Sequence, residues 1–174
     1  LSDEQLRGHN PEKTYVEIDG VTLHYRQTGL GRPLIFLHGV LGDYRMWRHV
    51  TPGLTYGNTV YELDLMGFGF SEKPQDKTYN LKTYVAQLHN YIENFHLDNL
   101  VLAGHDFGAV IAAGYAVEYP ENVHKLILMS APLSLNENLP VTMRLLGLPL
   151  LGKFLTGDWL LTRILKEGVF DEKI

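Results

Sequence analysis

Cysteine is absent from this sequence of 174 residues. Disulfide bonds, thiolate metal sites and thiol nucleophiles are therefore excluded within it. A secretory signal peptide is also not visible, because residues 1–13 are polar and contain no apolar core segment. Both observations favour a cytoplasmic protein. The sequence begins at Leu1 rather than at a methionine, which favours a trimmed N-terminus.

Long apolar runs and an excess of positive charge are lacking as well. The longest apolar stretch, residues 145–155, is interrupted by Pro149 and Lys153, whereas a membrane-spanning helix needs about 20 apolar residues. We therefore expect no membrane span. With 15 Lys and Arg against 20 Asp and Glu, the net charge is −5, which argues against a nucleic-acid-binding surface.

The sequence also shows no pattern typical of a metal or nucleotide site. Its eight histidines have neither an HExxH pattern nor any other metal-ligand spacing. The glycine-rich segment Gly67-Phe68-Gly69 has Glu72 where a dinucleotide-binding loop would need its third glycine. We therefore expect no metal and no cofactor.

Apolar segments and turn residues alternate along the chain as in an α/β protein. An Asp19-Gly20 turn between two alternating segments predicts a β-hairpin. Apolar residues at helical spacing after Asn80 predict a helix with that residue as its N-cap. The predicted order is hairpin 14–29, strand 33–39, short helix 43–54, strand 58–65, helix 80–97, strand 99–104, helix 107–120 and strand 123–132. This alternation predicts a doubly wound, mostly parallel sheet.

The character of the sequence changes after residue 132. The following residues have no strand pattern and contain two amphipathic helical segments, the second with Asp158 as its N-cap and Gly168 at its end. We therefore divide the chain into a core, 1–132, and an incomplete helical lid or cap, 133–174. These helices either cover the sheet or line a ligand pocket, and the sequence leaves both alternatives open.

The segment that carries the most chemical information is Gly104-His105-Asp106-Phe107-Gly108, between a predicted strand and a predicted helix. A side chain at such a sharp turn stands above the sheet edge, and its neighbours two positions away must be small. The helix that follows offers free N–H groups and the positive end of its dipole, which favour an anion there. An ordinary turn can also have this pattern, so the neighbouring motifs decide whether Asp106 is a candidate nucleophile.

A second glycine-containing turn follows the predicted strand 33–39. It contains His38-Gly39. The backbone N–H of Val40, which follows, is expected to face the turn Gly104–Gly108, which we call the elbow, and to act as an oxyanion donor. A third turn, residues 64–74, reads DLMGFGFSEKP and lets the chain pass close to the same edge of the sheet.

Taken together, HGV followed by Trp47-Arg48, DLMGFGFSEKP and GHDFGA resemble the α/β-hydrolase superfamily. Within it they resemble the branch with an aspartate nucleophile, which contains the epoxide hydrolases and haloalkane dehalogenases. The resemblance covers residues 14 to 132, the N-terminal portion of such an enzyme. It implies that Asp106 is the nucleophile and that the N–H groups of Val40 and Phe107 form the oxyanion hole.

An aspartate nucleophile indicates a particular reaction. A carboxylate that attacks a saturated carbon forms an ester, which water can cleave, whereas a serine would leave a stable ether. We therefore expect hydrolysis through a covalent aspartyl ester, with a small apolar organic substrate. Epoxide hydrolysis is the first prediction, and carbon–halogen hydrolysis of the dehalogenase type is the alternative.

The chain departs from both families at specific positions. Dehalogenases commonly have a Trp after the nucleophile and a side-chain donor after the His-Gly pair, but this sequence has Phe107 and Val40. Epoxide hydrolases have a proline where Leu41 occurs and use a pair of lid tyrosines, yet no tyrosine follows Tyr119. These departures weaken the assignment to the epoxide hydrolases, and they weaken the assignment to the haloalkane dehalogenases more.

Two further residues near the predicted site have alternative interpretations. His38 is a candidate substrate-binding residue, and the alternative is that it anchors a loop. Trp47 is a candidate pocket-lining residue, and the alternative is core packing.

The acid and histidine partners of an α/β-hydrolase come later in the chain than the nucleophile. No candidate for either follows a predicted strand within residues 1–174. We expect the remainder of the fold to supply them as a further segment. The alternative is a hydrolase-like protein that binds a ligand or partner without catalysis.

Overall fold

The computed structural model describes residues 14–131 of the chain. The predicted lid lies outside these residues, and its boundary with the core stays a prediction. The described elements are β1 (Tyr15–Ile18), β2 (Val21–Leu37), β3 (Tyr56–Leu63), α1 (Leu81–Asn94), β4 (Leu100–His105), α2 (Phe107–Glu118) and β5 (Val123–Met129). Short 3-10 turns cover Tyr44–Trp47, Thr51–Leu54 and Pro120–Asn122.

The strands form a five-stranded, mostly parallel sheet, which confirms the predicted fold class. β1 and β2 are an antiparallel hairpin joined at Asp19-Gly20, where both residues have positive φ. β2 pairs in parallel with β4, and β4 in parallel with β5. The carboxyl ends of β2, β3 and β4 therefore lie at one edge of the sheet, where ligands bind in open α/β folds.

β2 differs from the prediction of two separate strands. It is one strand of 17 residues, and β3 pairs with both of its halves, because Leu63 is opposite Tyr25 in one half and Leu37 in the other. The bend between the halves contains Gly29 and Gly31, both with positive φ. A side chain on Gly31 would collide with the backbone of β3, so only glycine fits there.

The helices form as the sequence predicts. The Asn80 side chain caps α1 by accepting a hydrogen bond from the Thr83 N–H at 2.9 Å. α2 packs on α1, and a Cβ added at Gly114 would lie only 3.0 Å from the Val85 Cγ2. The close packing at Gly114 is thus between the two helices.

The predicted short helix 43–54 is instead two 3-10 turns. Asp43 caps the first turn through a bond from the Arg45 N–H at 2.8 Å. The second turn begins around Pro52, which has no N–H and cannot continue a helix from the first turn.

β5 is exposed more than a buried parallel strand should be. Leu126, Ile127 and Leu128 are exposed by 38%, 43% and 38%. Among residues 14–131, β5 pairs with β4 and with no strand on its other edge. β5 is therefore partly exposed within the described part of the chain.

Candidate active site

Asp106 occupies a strained turn between β4 and α2. Its backbone has φ 50° and ψ −116°, a conformation that costs a residue other than glycine about 1–3 kcal/mol. The turn is held because the Asp106 N–H donates to the Met129 carbonyl at 3.0 Å. Its own carbonyl accepts from the Ala109 N–H, also at 3.0 Å. The strand thus ends and the helix begins within one residue.

The two glycines of the elbow are required by close backbone contacts. A Cβ on Gly104 would collide with the Gly108 carbonyl in the first turn of α2. A Cβ on Gly108 would collide with the carbonyl of Leu37 and lie 2.5 Å from that of His38. The absence of both side chains lets α2 start directly against the ends of β2 and β4, with Asp106 at the edge of the sheet.

Val40 and Asp106 are in direct contact although they are far apart in the sequence. The Val40 N–H donates to Asp106 Oδ2 at 3.1 Å. This approach depends on Gly39, because a Cβ there would lie 2.8 Å from the Asp106 Cβ. Among the described residues, no donor reaches Asp106 Oδ1 and no acceptor meets the Phe107 N–H. The structure therefore brings together the three residues that the sequence singled out.

The Phe107 ring forms an aromatic contact that sequence reasoning missed. It lies edge-on to Tyr84 of α1, with ring centroids 5.1 Å apart. The Tyr84 hydroxyl donates to the Met66 carbonyl at 2.9 Å, and burial raises the pKa of Tyr84 to about 12. Tyr84 is thus a neutral donor that fixes the glycine-rich turn beneath Phe107. Its place on the apolar side of α1 was the only signal in the sequence.

His38 is not available to a substrate. Its side chain is fully buried, and both ring nitrogens contact backbone atoms. Nδ1 lies 2.7 Å from the Gly39 carbonyl oxygen, and Nε2 lies 3.0 Å from the Leu65 nitrogen. No polar ring atom is left for a ligand. The substrate-binding interpretation of His38 is therefore wrong, and the ring anchors the loop instead.

Trp47 is a core residue as well. It is only 3% exposed and packs on Phe36 with ring centroids 4.7 Å apart. Leu34, Val60 and Ala103 complete this small apolar cluster. The expected pocket-lining role is not supported, because the neighbours of the indole are buried core residues.

Asp64 connects the loops that flank the elbow. Its carboxylate is fully buried and accepts the Tyr44 N–H at 2.6 Å, the Phe70 N–H at 2.8 Å and His24 Nδ1 at 2.9 Å. A Cβ on Gly69 would collide with this carboxylate. No signal in the sequence pointed to the contact of Asp64 with His24, which lies 40 residues earlier in the chain.

Replacing Asp64 by asparagine is expected to destabilise the fold by about 2–3 kcal/mol, because the new NH2 group would face at least one donor that the carboxylate accepted. Chemical denaturation of the Asp64→Asn protein would measure this loss. Asp76→Asn, at an exposed position with no side-chain hydrogen bond among the described residues, is the matched control. Equal stability of the two variants would contradict the assigned role of Asp64.

The described residues contain no candidate metal site. No group of three or more His, Asp or Glu side chains within residues 14–131 is close enough to hold a metal ion. Neither helix of this part of the chain has the length and apolar character needed to cross a membrane.

Comparison with known proteins places this geometry in a family. The family model described as the alpha/beta hydrolase fold matches residues 32–154. The chain is 30% identical over 115 residues to 2-hydroxy-6-oxo-2,4-heptadienoate hydrolase of Pseudomonas putida, which covers 64% of this chain and 42% of that protein. It is 35% identical over 137 residues to epoxide hydrolase 4 of Mus musculus, which covers 76% of this chain and 37% of that protein.

A solved structure is similar over a longer range. It is a mutant of an epoxide hydrolase from Bacillus megaterium in complex with its product, with a TM-score of 0.76 and 28% identity. The match covers 88% of this chain and 61% of that one. The chain spans about two fifths of the length of the two curated relatives above, at 42% and 37%. With its strand–Asp–helix elbow, parallel sheet and matching family model, this chain belongs to the α/β-hydrolase fold family.

Proposed function

We propose that this chain is the part of a hydrolase that carries the nucleophile, and that the enzyme opens an epoxide through a covalent ester on Asp106. The observation that carries the proposal is the asymmetric environment of the Asp106 carboxylate. Oδ2 is held by the Val40 N–H at 3.1 Å, and Oδ1 is free of hydrogen bonds within the described residues. One oxygen is thus placed for stabilisation and the other for attack.

In the first step, Asp106 Oδ1 attacks a saturated carbon of the epoxide. A bond forms between Oδ1 and this carbon, the ring carbon–oxygen bond breaks, and the ring oxygen takes the electron pair and then a proton. The negative charge of the carboxylate disappears as the ester forms. The product of this step is a hydroxyalkyl ester of Asp106.

In the second step, water attacks the Asp106 Cγ and loses a proton to the histidine base that we expect the remainder of the fold to supply. Negative charge then develops on Oδ2, where the N–H groups of Val40 and Phe107 stabilise it. Collapse of this intermediate breaks the bond between Cγ and Oδ1. The leaving oxygen takes a proton from the same base, which releases a diol, and the carboxyl group of Asp106 then ionises. One oxygen of the regenerated carboxylate comes from water, and the diol keeps the original Oδ1.

The choice of an epoxide rests on two observations. Two of the similar proteins above are named epoxide hydrolases, from Mus musculus and Bacillus megaterium. Halide release, by contrast, needs side-chain donors close to the nucleophile, and neither Val40 nor Phe107 has one. Phe107 and the half-exposed Val40 instead offer apolar surface beside Asp106, which suits a small apolar substrate.

The test is a single turnover of the complete enzyme, with this chain joined to the remainder of its fold, in heavy-oxygen water with styrene oxide as the probe, followed by mass spectrometry of the peptide that contains Asp106. We expect one heavy oxygen in Asp106 and none in the diol. Heavy oxygen in the diol alone would show direct attack by water and contradict the covalent route. Absence of both diol and label would favour the binding-only alternative.

A further inference from the structure

The carbonyl group of Gly39 accepts two hydrogen bonds. His38 Nδ1 lies 2.7 Å from its oxygen, and the Gly42 N–H donates to it at 3.1 Å. This carbonyl and the Val40 N–H belong to one planar trans peptide, so they point in opposite directions. Because the oxygen is fixed from one side, the N–H is directed to the other side, where it meets Asp106 Oδ2.

The His38 ring can donate to Gly39 only in one tautomer, and its surroundings select that tautomer. Nε2 accepts the Leu65 N–H at 3.0 Å and is therefore unprotonated, so the proton resides on Nδ1. Burial lowers the pKa of His38. This effect exceeds those of its bond to Gly39 and of the Asp64 and Asp43 carboxylates, which raise the pKa. The ring is thus a neutral donor to the Gly39 carbonyl.

The second hydrogen bond to Gly39 requires an unusual conformation of Leu41. The Gly42 bond closes a four-residue turn with positive φ at its third residue, which is the type II turn and favours glycine there. Leu41 has φ 60° and is 65% exposed, so packing does not offset a strain of about 1–2 kcal/mol. Proline, with φ near −65°, cannot adopt this conformation.

We infer that His38 and Leu41 are positioning residues for the oxyanion donor. They hold the Gly39–Val40 peptide so that the Val40 N–H stays directed at Asp106 Oδ2. The effect of these residues on ester hydrolysis rests on the proposed function. Their effect on the position of the Val40 N–H does not. Neither residue contacts the substrate in this assignment, and each acts through the peptide between them.

The two steps of the reaction respond differently when the Val40 N–H is held less firmly against Asp106 Oδ2. During ester formation the carboxylate loses its charge, so a weaker bond to Oδ2 does not slow the attack. During ester hydrolysis charge develops on Oδ2, and the Val40 N–H stabilises it. Loss of the hydrogen bonds to the Gly39 carbonyl therefore slows only the second step. The signature is an ester that forms at the normal rate and persists longer.

Rapid quenching and mass spectrometry of the complete enzyme with styrene oxide would measure both rates. For His38→Ala we expect an unchanged rate of ester formation and a roughly tenfold to hundredfold slower loss, since complete removal of one such donor costs about 10²–10³ in rate. His38→Asn is the rescue variant, because its amide nitrogen lies near the position of Nδ1 and can donate to Gly39. It is expected to recover most of the hydrolysis rate.

Amide hydrogen exchange at Val40 gives a second measurement that does not depend on activity. Leu41→Pro removes the left-handed conformation and is expected to lower the protection of the Val40 N–H at least tenfold. Leu41→Gly keeps the turn and is expected to retain the protection. Because Leu41 is exposed, these variants are informative even if the His38 variant does not fold.

The outcomes separate the two proposals. If the complete, unmodified enzyme forms no ester, the proposed function is wrong, and Val40 exchange still decides the positioning roles. If the ester forms and its lifetime and Val40 exchange are the same in all variants, the positioning inference is overturned and the proposed function stands. Slower hydrolysis in His38→Ala together with lost protection in Leu41→Pro would support it.

Discussion

Asp106→Asn is expected to reduce turnover of an epoxide substrate by at least about a thousandfold, as the removal of a nucleophile does in other enzymes with covalent intermediates. The amide cannot form the ester, although its oxygen can still accept the Val40 N–H. Asparagine tolerates positive φ better than most residues, so the elbow should keep its conformation. Steady-state kinetics and a thermal melt of the same sample would separate lost chemistry from lost folding.

Asp98→Asn is the matched control for this substitution. Asp98 is exposed and has no side-chain hydrogen bond among the described residues. The same chemical change at this site should leave turnover and melting temperature as they are. Substantial activity in Asp106→Asn, with the asparagine verified by mass, would contradict the assignment of the nucleophile and the ester intermediate with it.

The largest effect on stability is expected from Gly108→Ala, at about 3 kcal/mol or more. The added methyl group would collide with the carbonyls of Leu37 and His38, and backbone atoms cannot move aside as a flexible side chain can. Either α2 moves away from β2, or the elbow distorts. Urea unfolding of the variant would measure the loss of free energy.

Gly53→Ala provides the control because a Cβ at this position meets no atom within 4 Å and its backbone needs no positive φ. We expect a change of less than about 1 kcal/mol there. If Gly108→Ala were as stable as Gly53→Ala, the close approach of α2 to β2 would be wrong. The explanation of why the elbow needs glycine at position 108 would then be wrong as well.

Both predictions concern the same small region, where three backbone segments meet without intervening side chains. Gly39, Gly104 and Gly108 each lie too close to a neighbouring segment for a Cβ. Such contacts let the Val40 N–H reach the Asp106 carboxylate directly. The strained residues Leu41 and Asp106 are at this same place, as expected for a functional site whose geometry is maintained by the surrounding structure.

Much of this arrangement could be predicted from the sequence. The alternation of strands and helices, the Asp19-Gly20 hairpin, the Asn80 cap and the elbow around Asp106 depend on local patterns of apolar, turn and capping residues. These patterns express conformational preferences of neighbouring residues, so they remain visible in a single chain. The resemblance to the family was strong for the same reason, because its motifs are short and contiguous.

Other features were decided by contacts between distant parts of the chain. β2 is continuous because β3 pairs with both of its halves, and His38 is an anchor because Leu65, 27 residues away, meets its ring. The left-handed conformation of Leu41 is likewise not an intrinsic preference of leucine. Local sequence therefore determined which elements form and where the carboxylate stands. Only tertiary packing decided which backbone groups surround it, because hydrogen-bond partners and burial depend on residues that sequence order does not bring together.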